Sequence, residues 1–380
     1  MIVEQSQFSP SQGWQHQHPE ALTQANLVLY FCARQLPDLS ERLNELRQRY
    51  PDAVIAGCST GGEIAGAAVV DDSLVATAIA FEKTTLRAAR EVIRDASESR
   101  EAGARIAKAL LADNLRYVLI LSDGLLVNGS DLVTGLFSVF DTSITVTGGL
   151  AGDGADFTKT LVGLNDDINS GAIVAIGLYG TALCAHIGSG GGWETFGPSR
   201  EITRASGNVL YELDNKPALD LYKQYLGEEA AQLPGSALLF PLAIHDRNTP
   251  RELAVRTILA VDENEKSMTF AGDIPQGCMA KLMHASFSDL VDGAEAAALS
   301  AIKSRNERYH SLALLISCIG RKLLLGPNIS DETEVVTRAL GASVTSTGFY
   351  SYGEISHSNF NGECSLFNQT MTITLLYEEV

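Results

Sequence analysis

Two short segments, far apart in the chain, concentrate side chains that could hold a small polar ligand. They are residues 57–64, with the sequence GCSTGGEI, and residues 348–355, with the sequence GFYSYGEI. Both end in Gly-Glu-Ile. Glycine lets a backbone come close to another group, while Ser, Thr, Tyr and Glu supply hydrogen-bonding atoms. A plain core strand needs no such mixture, so we expect the two segments to form facing walls of a binding site.

The first segment does not fit a nucleotide phosphate. Gly57 and Gly62 have the spacing of a phosphate-binding loop, but Glu63 stands where that loop needs a lysine. A carboxylate there would repel phosphate. Cys58 could act as a nucleophile if its thiolate were stabilised, so an enzyme that uses Cys58 or Glu63 remains an alternative.

Two more glycine clusters carry polar or aromatic residues. Residues 152–157 contain Asp153, and residues 188–193 end in Trp193. Neither cluster completes the Gly-x-Gly-x-x-Gly pattern of dinucleotide-binding folds. Because open α/β sheets bind ligands beyond the carboxyl ends of their strands, the cluster at Asp153 favours a site at such an edge.

The elements that must position these segments alternate in the first part of the chain. Apolar runs at residues 27–32, 53–56, 117–121 and 144–147 predict buried strands, and helical spacing separates several of them. This order predicts βαβ crossovers and a partly parallel sheet. Longer strands and fewer helices follow after about residue 155. We therefore predict an α/β and α+β protein of two domains, with mixed β-sheets flanked by helices. The predicted divisions are a flexible N-terminus over 1–24, a first domain over 25–217 and a second over 218–380.

Composition limits the partners. The 380 residues are 45% apolar, and the formal net charge of −18 argues against binding nucleic acid or an anionic membrane surface. No apolar run is long enough to span a bilayer as a helix, and the N-terminus lacks the basic start and apolar core of a secretion signal. We expect a cytoplasmic protein. The six cysteines are scattered without a Cys-x-x-Cys pair, which argues against a zinc site.

These motifs resemble those of FIST-domain proteins. Residues 57–64, 149–154 (GLAGDG) and 193–197 (WETFG) are similar to the N-terminal half of that family. The C-terminal half is matched by residues 317–321 (SCIGR), by 348–355 and by Asn368-Gln369-Thr370. The resemblance runs from about residue 25 to the end and implies an intracellular sensory domain that binds a small ligand. The ligand-binding residues that we predict are Cys58, Ser59, Thr60, Glu63, Asp153, Trp193, Arg321, Tyr350, Tyr352, Glu354 and Asn368.

The resemblance also implies a cofactor and a partner. Stand-alone bacterial members with FAGDIP, here at residues 270–275, are similar to haem-containing nitric-oxide sensors that regulate a histidine kinase, cyclic-di-GMP output and biofilm behaviour. We accordingly expect non-covalent haem b, with His186 as axial ligand and His245 as second choice. The alternative is a sensor of a small polar ligand, such as an amino acid, without haem. Family members commonly carry His where this chain has Phe367, which predicts a more apolar site. We recognise no output domain in this sequence, so we expect a partner protein to provide the signalling output.

Overall fold

The computed structural model describes residues 1–17, 20–233, 235–248, 254–303, 305–358 and 362–379. The strands and α-helices of these residues form four consecutive groups by position along the chain, which differ from the sheets that they build. The first group is β1 Ile2–Ser9, β2 Gly13–His16, β3 Leu27–Ala33, α1 Leu39–Arg49, β4 Val54–Thr60, β5 Glu63–Ala65, β6 Ala68–Val70 and β7 Leu74–Ala80. The second is β8 Thr85–Val92, α2 Ser99–Leu110, β9 Leu115–Ser122, α3 Gly129–Phe137, β10 Thr145–Leu150, β11 Val162–Leu164, β12 Asp167–Asn169, β13 Ala172–Tyr179 and β14 Leu183–Gly190.

The third group is β15 Glu194–Ser206, β16 Val209–Leu213, β17 Lys216–Pro217, α4 Ala218–Leu226, β18 Leu242–His245, β19 Ala254–Arg256, β20 Ile258–Asp262, β21 Ser267–Phe270 and β22 Met279–His284. The last is α5 Phe287–Ile302, β23 Ser311–Cys318, α6 Ile319–Leu325, α7 Ile329–Leu340, β24 Val344–Ser351, β25 Gly353–His357, β26 Cys364–Phe367 and β27 Met371–Glu378. The fold is α/β and α+β with mixed sheets, as predicted. None of the helices in the described part of the chain is long and apolar enough to cross a membrane.

Three sheets repeat one strand order. Unit one has the order β12-β11-β4-β3-β7-β1, with β2 beyond β1; unit two has β26-β25-β10-β9-β13-β8; unit three has β6-β5-β24-β23-β27-β14. Each contains one parallel pair of strands, β3 with β4, β9 with β10 and β23 with β24. Helical segments connect the two strands of each pair, as parallel neighbours require. The inner faces of the three sheets meet in one core, where the rings of Phe31 and Phe349 lie 4.8 Å apart.

The three units exchange hairpins in a cycle. Hairpin β5–β6 follows β4 of unit one but pairs with β24 of unit three. Hairpin β25–β26 follows β24 but pairs with β10 of unit two, and β11–β12 follows β10 but pairs with β4 of unit one. Each sheet is therefore completed by another part of the chain, and the two sequence halves are not separate packing units.

Residues 194–284, the insert, lie between β14 and α5 of unit three. They form an eight-stranded sheet with its own core, which includes Ile202, Leu210 and Phe270. The boundary that we placed between 217 and 218 runs through this insert, since β16 before it pairs with β21 after it. Sequence patterns missed the insert because it interrupts unit three without a break in composition.

The N-terminal segment is not the flexible extension that its sequence suggested. Strand β1 pairs with β7 from Ile2 to Phe8 and takes the place in unit one that β8 and β14 take in the other units. Val3 and Phe8 are buried. Its Gln- and Ser-rich composition hid a strand whose side chains alternate between two faces.

Candidate functional site

The carboxyl ends of β4, β10 and β24 meet in a ring of three backbone hydrogen bonds. Gly61 N donates to Tyr350 O at 2.7 Å, Tyr352 N to Leu150 O at 3.0 Å, and Gly152 N to Ser59 O at 2.9 Å. Glycine is needed in this ring because a Cβ at position 152 would lie 2.9 Å from Gly61 N. The ring marks the edge of the sheets at which α/β proteins bind ligands.

The two Gly-Glu-Ile segments occupy equivalent places beside this ring. Thr60 Oγ1 donates to Glu63 Oε1 at 2.5 Å and Ser73 Oγ to Oε2 at 2.7 Å. Ser351 Oγ donates to Glu354 Oε1 at 2.6 Å and Thr370 Oγ1 to Oε2 at 2.8 Å. Both carboxyls are fully buried, and burial raises the pKa of Glu63 to about 7 and of Glu354 to about 8. Each glutamate is held by hydroxyls of the protein itself.

The two segments are neighbours in one sheet and not the facing walls that we expected. Strand β5 lies antiparallel to β24, and Tyr350 N donates to Gly62 O at 2.9 Å. The resemblance between the segments reflects the hairpin exchange, since Gly-Glu-Ile leads into both exchanged hairpins, with β5 beginning at Glu63 and β25 at Gly353.

A cavity of about 170 Å³ lies where the strand ends of units two and three meet the insert. The rings of Phe157 and Tyr352, which both line it, stack with centroids 4.6 Å apart. No charged side chain is found among its described lining residues. The three-unit core contributes Gly124, Leu125, Val127, Leu150, Cys318, Ile319, Tyr352 and Asn368, and the insert contributes Asn208, Leu238, Thr257, Leu259, Phe270, Ala271 and Gly272.

Two polar side chains that line this cavity lack hydrogen-bond partners among the described residues. Asn368 is 0% exposed, and both atoms of its carboxamide are unpartnered. Thr257, which comes from the insert, is 4% exposed, and its hydroxyl is also unpartnered. Buried polar groups are normally hydrogen-bonded, because leaving one unpaired costs roughly 1–3 kcal/mol. The cavity therefore offers polar atoms from both of its sides to a bound molecule.

The turn that carries Asn368 is held from three directions. Trp193 Nε1 donates to Gln369 O at 2.9 Å and Arg321 Nη1 to the same oxygen at 3.3 Å. Thr370 N donates to Glu354 Oε2 at 3.2 Å. Gln369 takes a left-handed φ of 61°. Trp193, Arg321 and Glu354 are thus positioning residues for Asn368 and do not line the cavity as the sequence prediction implied.

Arg321 and Tyr350 belong to a buried ion pair. Arg321 Nη2 lies 2.6 Å from Glu332 Oε1, and both side chains are inaccessible to solvent. Arg321 also donates to Leu290 O at 2.6 Å, and the Tyr350 hydroxyl donates to Glu332 Oε2 at 2.8 Å. With their polar atoms engaged in this way, these two predicted ligand-binding residues are structural.

The remaining predicted residues divide into two groups. Cys58 and Ser59 are buried in β4, where burial raises the pKa of the Cys58 thiol and Ser59 Oγ accepts from Leu161 N at 2.9 Å. Cys58 thus lacks the stabilised thiolate that a nucleophile needs. Thr60, Glu63 and Asp153 line a second, more open pocket of about 300 Å³ together with Arg34, Asp71, Asp156, Lys322 and others. Tyr352 joins the two pockets, because its hydroxyl donates to Asp153.

The two histidines that we considered for haem lie away from the cavity. His186 stacks on Tyr377 and shares a 3.0 Å hydrogen bond with its hydroxyl. His245 Nδ1 lies 2.9 Å from Asp246 O. Phe367 pairs with Glu354 across β25 and β26 and does not line the cavity. Within the described residues, no group of three His, Cys, Asp or Glu side chains could hold a metal ion.

Sequence reasoning missed the contribution of the insert. Asn208 lies in the turn between β15 and β16, Thr257 lies between β19 and β20, and Leu259 lies in β20, and none of them carries a local sequence pattern that marks a binding site. Residues 270–272 did stand within the FAGDIP motif and do line the cavity. That motif was the available signal that this part of the chain faces the site.

Comparisons with known protein families match two successive parts of the chain. The model of the FIST N domain matches residues 26–216, and that of the FIST C domain matches residues 218–357. An uncharacterized protein of Methanocaldococcus jannaschii is 24% identical over 327 residues. The aligned region covers 79% of this chain and 61% of the length of that relative. A crystal structure of cyanuric acid hydrolase from A. caulinodans aligns over 100% of this chain and 99% of its own, at 8% identity and a TM-score of 0.37, too low to support conclusions. The chain belongs to the FIST family, whose domains are sensory ligand-binding domains of signal transduction.

Proposed function

We propose that this protein is a sensor that binds a small molecule in the cavity between the three-unit core and the insert. The observation that supports the proposal is that Asn368 lines the cavity and that its fully buried carboxamide has no partner among the described residues. A bound molecule would supply the missing hydrogen bonds. The proposal contains no catalytic step, since Cys58 lies buried in β4 with a raised thiol pKa.

Hydrogen bonds from the insert to the core suggest how occupancy could be transmitted. Gln369 Nε2 donates to Leu238 O at 3.2 Å, and Arg256 Nη1 donates to Leu366 O at 3.3 Å. Asn128 Nδ2 donates to Asp273 Oδ1 at 3.2 Å. A ligand that contacts both Asn368 and Thr257 would add a further connection between the core and the insert. It would therefore stabilise the conformation in which the insert is packed against the core. A partner protein that contacts the insert would then respond to whether the cavity holds a ligand.

The partner that the family resemblance implies is a separate histidine kinase. Co-purification of this chain with the kinase, and a change in kinase autophosphorylation when ligand is added, are the expected results. Equal autophosphorylation with and without a ligand that binds this protein would argue against that partner.

The described lining residues of this cavity do not fit a haem. No histidine is found among the described lining residues of the cavity, and the hydroxyl of Tyr352, one of the two side chains there that could ligate iron beside Cys318, already donates to Asp153. The cavity of about 170 Å³ is also smaller than the roughly 300 Å³ at the lower end of drug-sized pockets. Haem titration of the purified protein should leave no Soret band characteristic of bound haem. Such a band, lost in His186→Ala, would overturn this conclusion and restore the nitric-oxide sensor.

The experiment that tests the proposal is a thermal-shift screen with a library of small metabolites. Molecules that stabilise the wild type should lose their effect in Asn368→Leu, which keeps the approximate size of the side chain but removes its hydrogen bonds. Asn44→Leu, on the exposed face of α1, is the matched control and should respond like the wild type. Cys58→Ala should also keep the response. If every stabilising molecule acts equally on Asn368→Leu, the cavity is not the binding site.

A further inference from the structure

The chemistry of the cavity also narrows the class of ligand. We propose that the cavity takes a neutral molecule of one ring that presents N–H and C=O side by side, as a carboxamide or cyclic amide does, and that this edge pairs with Asn368. The inference rests on the proposed function and adds the ligand class to it.

The first argument is the shape of the unpaired group. A carboxamide places a donor, Nδ2, beside an acceptor, Oδ1, and neither atom of Asn368 has a partner among the described residues. The group that satisfies both atoms together presents an acceptor beside a donor, and an amide edge does so in one plane. The unpaired hydroxyl of Thr257 lies on the insert side and can meet a second polar atom of the ligand.

The second argument is charge. Among the described lining residues none carries a charged side chain. Moving a charge from water into such a site is costly unless an opposite charge pairs with it. A carboxylate or a zwitterion, including a free amino acid, would therefore bind poorly, which separates this inference from the amino-acid alternative raised by the sequence.

The third argument is size and surface. A cavity of roughly 150 Å³ accepts one benzene-sized molecule, and this cavity measures about 170 Å³. Phe157, Tyr352 and Phe270 supply aromatic surface, and Leu125, Leu150 and Leu259 supply aliphatic surface. Walls of this kind suit the faces of a single ring and leave the polar edge to Asn368.

Three probes of nearly equal size test the inference: benzamide, benzoate and toluene. Titration calorimetry at pH 7 should show benzamide binding at least tenfold more tightly than the other two. In Asn368→Leu the preference should disappear, and toluene should bind at least as well as benzamide. Thr257→Val should weaken benzamide binding several-fold, while Asn44→Leu should match the wild type.

A second measurement uses the ligand-free protein. Because Asn368→Leu removes an unpaired buried amide, the melting temperature of that variant without ligand should equal or exceed that of the wild type. A large loss of stability would show that protein atoms already satisfy the carboxamide, and the inference would fall.

The outcomes separate this inference from the proposed function. If the metabolite screen finds molecules that depend on Asn368 but lack an amide edge, the ligand class is wrong and the sensor stands. If benzoate or toluene binds the wild type as tightly as benzamide, the proposed ligand class is likewise wrong, and the proposed sensor function stands. If no molecule depends on Asn368, both proposals fail.

Discussion

The segments at residues 57–64 and 348–355 share a backbone path but face different surroundings. Each ends a parallel strand, joins the three-strand ring and buries a glutamate against a hydroxyl three residues earlier. The first adjoins the more open pocket with Arg34, Lys322 and several aspartates, whereas the second adjoins the cavity whose described lining residues carry no charge. The sequence similarity thus marks a shared structural role. The surroundings of the two segments differ because the insert covers the strand ends at the second segment and not those at the first.

The largest expected difference is in the stability that each segment gains from the cationic side chain beside it. Arg321 is buried with Glu332 and supports the turn of Asn368, while its neighbour Lys322 donates to Gly61 O beside the first segment. Arg321→Met should destabilise by about 3–5 kcal/mol because it leaves Glu332 as an unpaired buried charge. Lys322→Met should cost less than about 1 kcal/mol, since its partner Asp71 is largely exposed.

Urea unfolding midpoints would measure both changes. The double variant Arg321→Met with Glu332→Leu should recover much of the lost stability, because it removes both charges. Equal losses of stability in Arg321→Met and Lys322→Met would show that the buried and the surface ion pair contribute equally, against this prediction.

The pH dependence of stability should differ between the two glutamates. Burial raises the folded-state pKa of both above the usual 4.5, to about 7 for Glu63 and about 8 for Glu354. The folded state then binds more protons than the unfolded state, so these groups lower stability as pH rises from about 4.5 towards the folded pKa. One group contributes a slope of at most about 1.4 kcal/mol per pH unit.

Glu354→Gln should therefore flatten the fall in stability between pH 7 and 8, while Glu63→Gln should leave most of it and act below pH 7. Melting temperatures across pH 4–9 would show this. Identical profiles for the two variants would mean that the two carboxyls have the same environment after all.

The ring of three strand ends should tolerate no side chain at Gly152. Gly152→Ala should cost about 1–3 kcal/mol, because the new Cβ would approach the backbone of Gly61 and Thr60. Gly235→Ala is the control, since its Cβ would meet no described atom within 4 Å and the expected change is within about 0.5 kcal/mol. A harmless Gly152→Ala, measured by urea unfolding, would mean that the ring can open.

The smallest effect is expected at the first segment's cysteine. Cys58 is buried and burial raises its thiol pKa, so native protein should not react there with a thiol reagent such as DTNB. Mass spectrometry of labelled peptides, before and after urea, would locate the reaction. Rapid native labelling of Cys58 would revive the enzyme alternative.

The sequence predicted the parts of this fold that local patterns control. Continuous apolar runs predicted β3 and β9, because strands buried on both faces need apolar side chains throughout. Asn368 and Tyr352, two of the predicted ligand-binding residues, line the cavity, and their binding of a ligand stays a prediction. The strands could be predicted because the apolar runs that form them are local in sequence.

The failures involve pairings between distant segments. No local pattern states that β5 pairs with β24, nearly the length of the chain away, so the two segments were mistaken for facing walls. Arg321 was assigned to a ligand because its partner Glu332 becomes a neighbour only when α7 packs against β23 and β24. Thr257 was missed because its burial depends on the docking of the insert.

The cyclic hairpin exchange has a consequence for how such a chain could arise. A single unit taken alone would have one sheet with an open edge and one hairpin without a sheet. Three copies would close on one another, so the smallest stable form of one unit would be a ring-shaped trimer. The present chain has the topology of that trimer joined into one polypeptide. Among the described residues only unit three carries an insert, which breaks the symmetry and covers one of the three related edges to form the cavity.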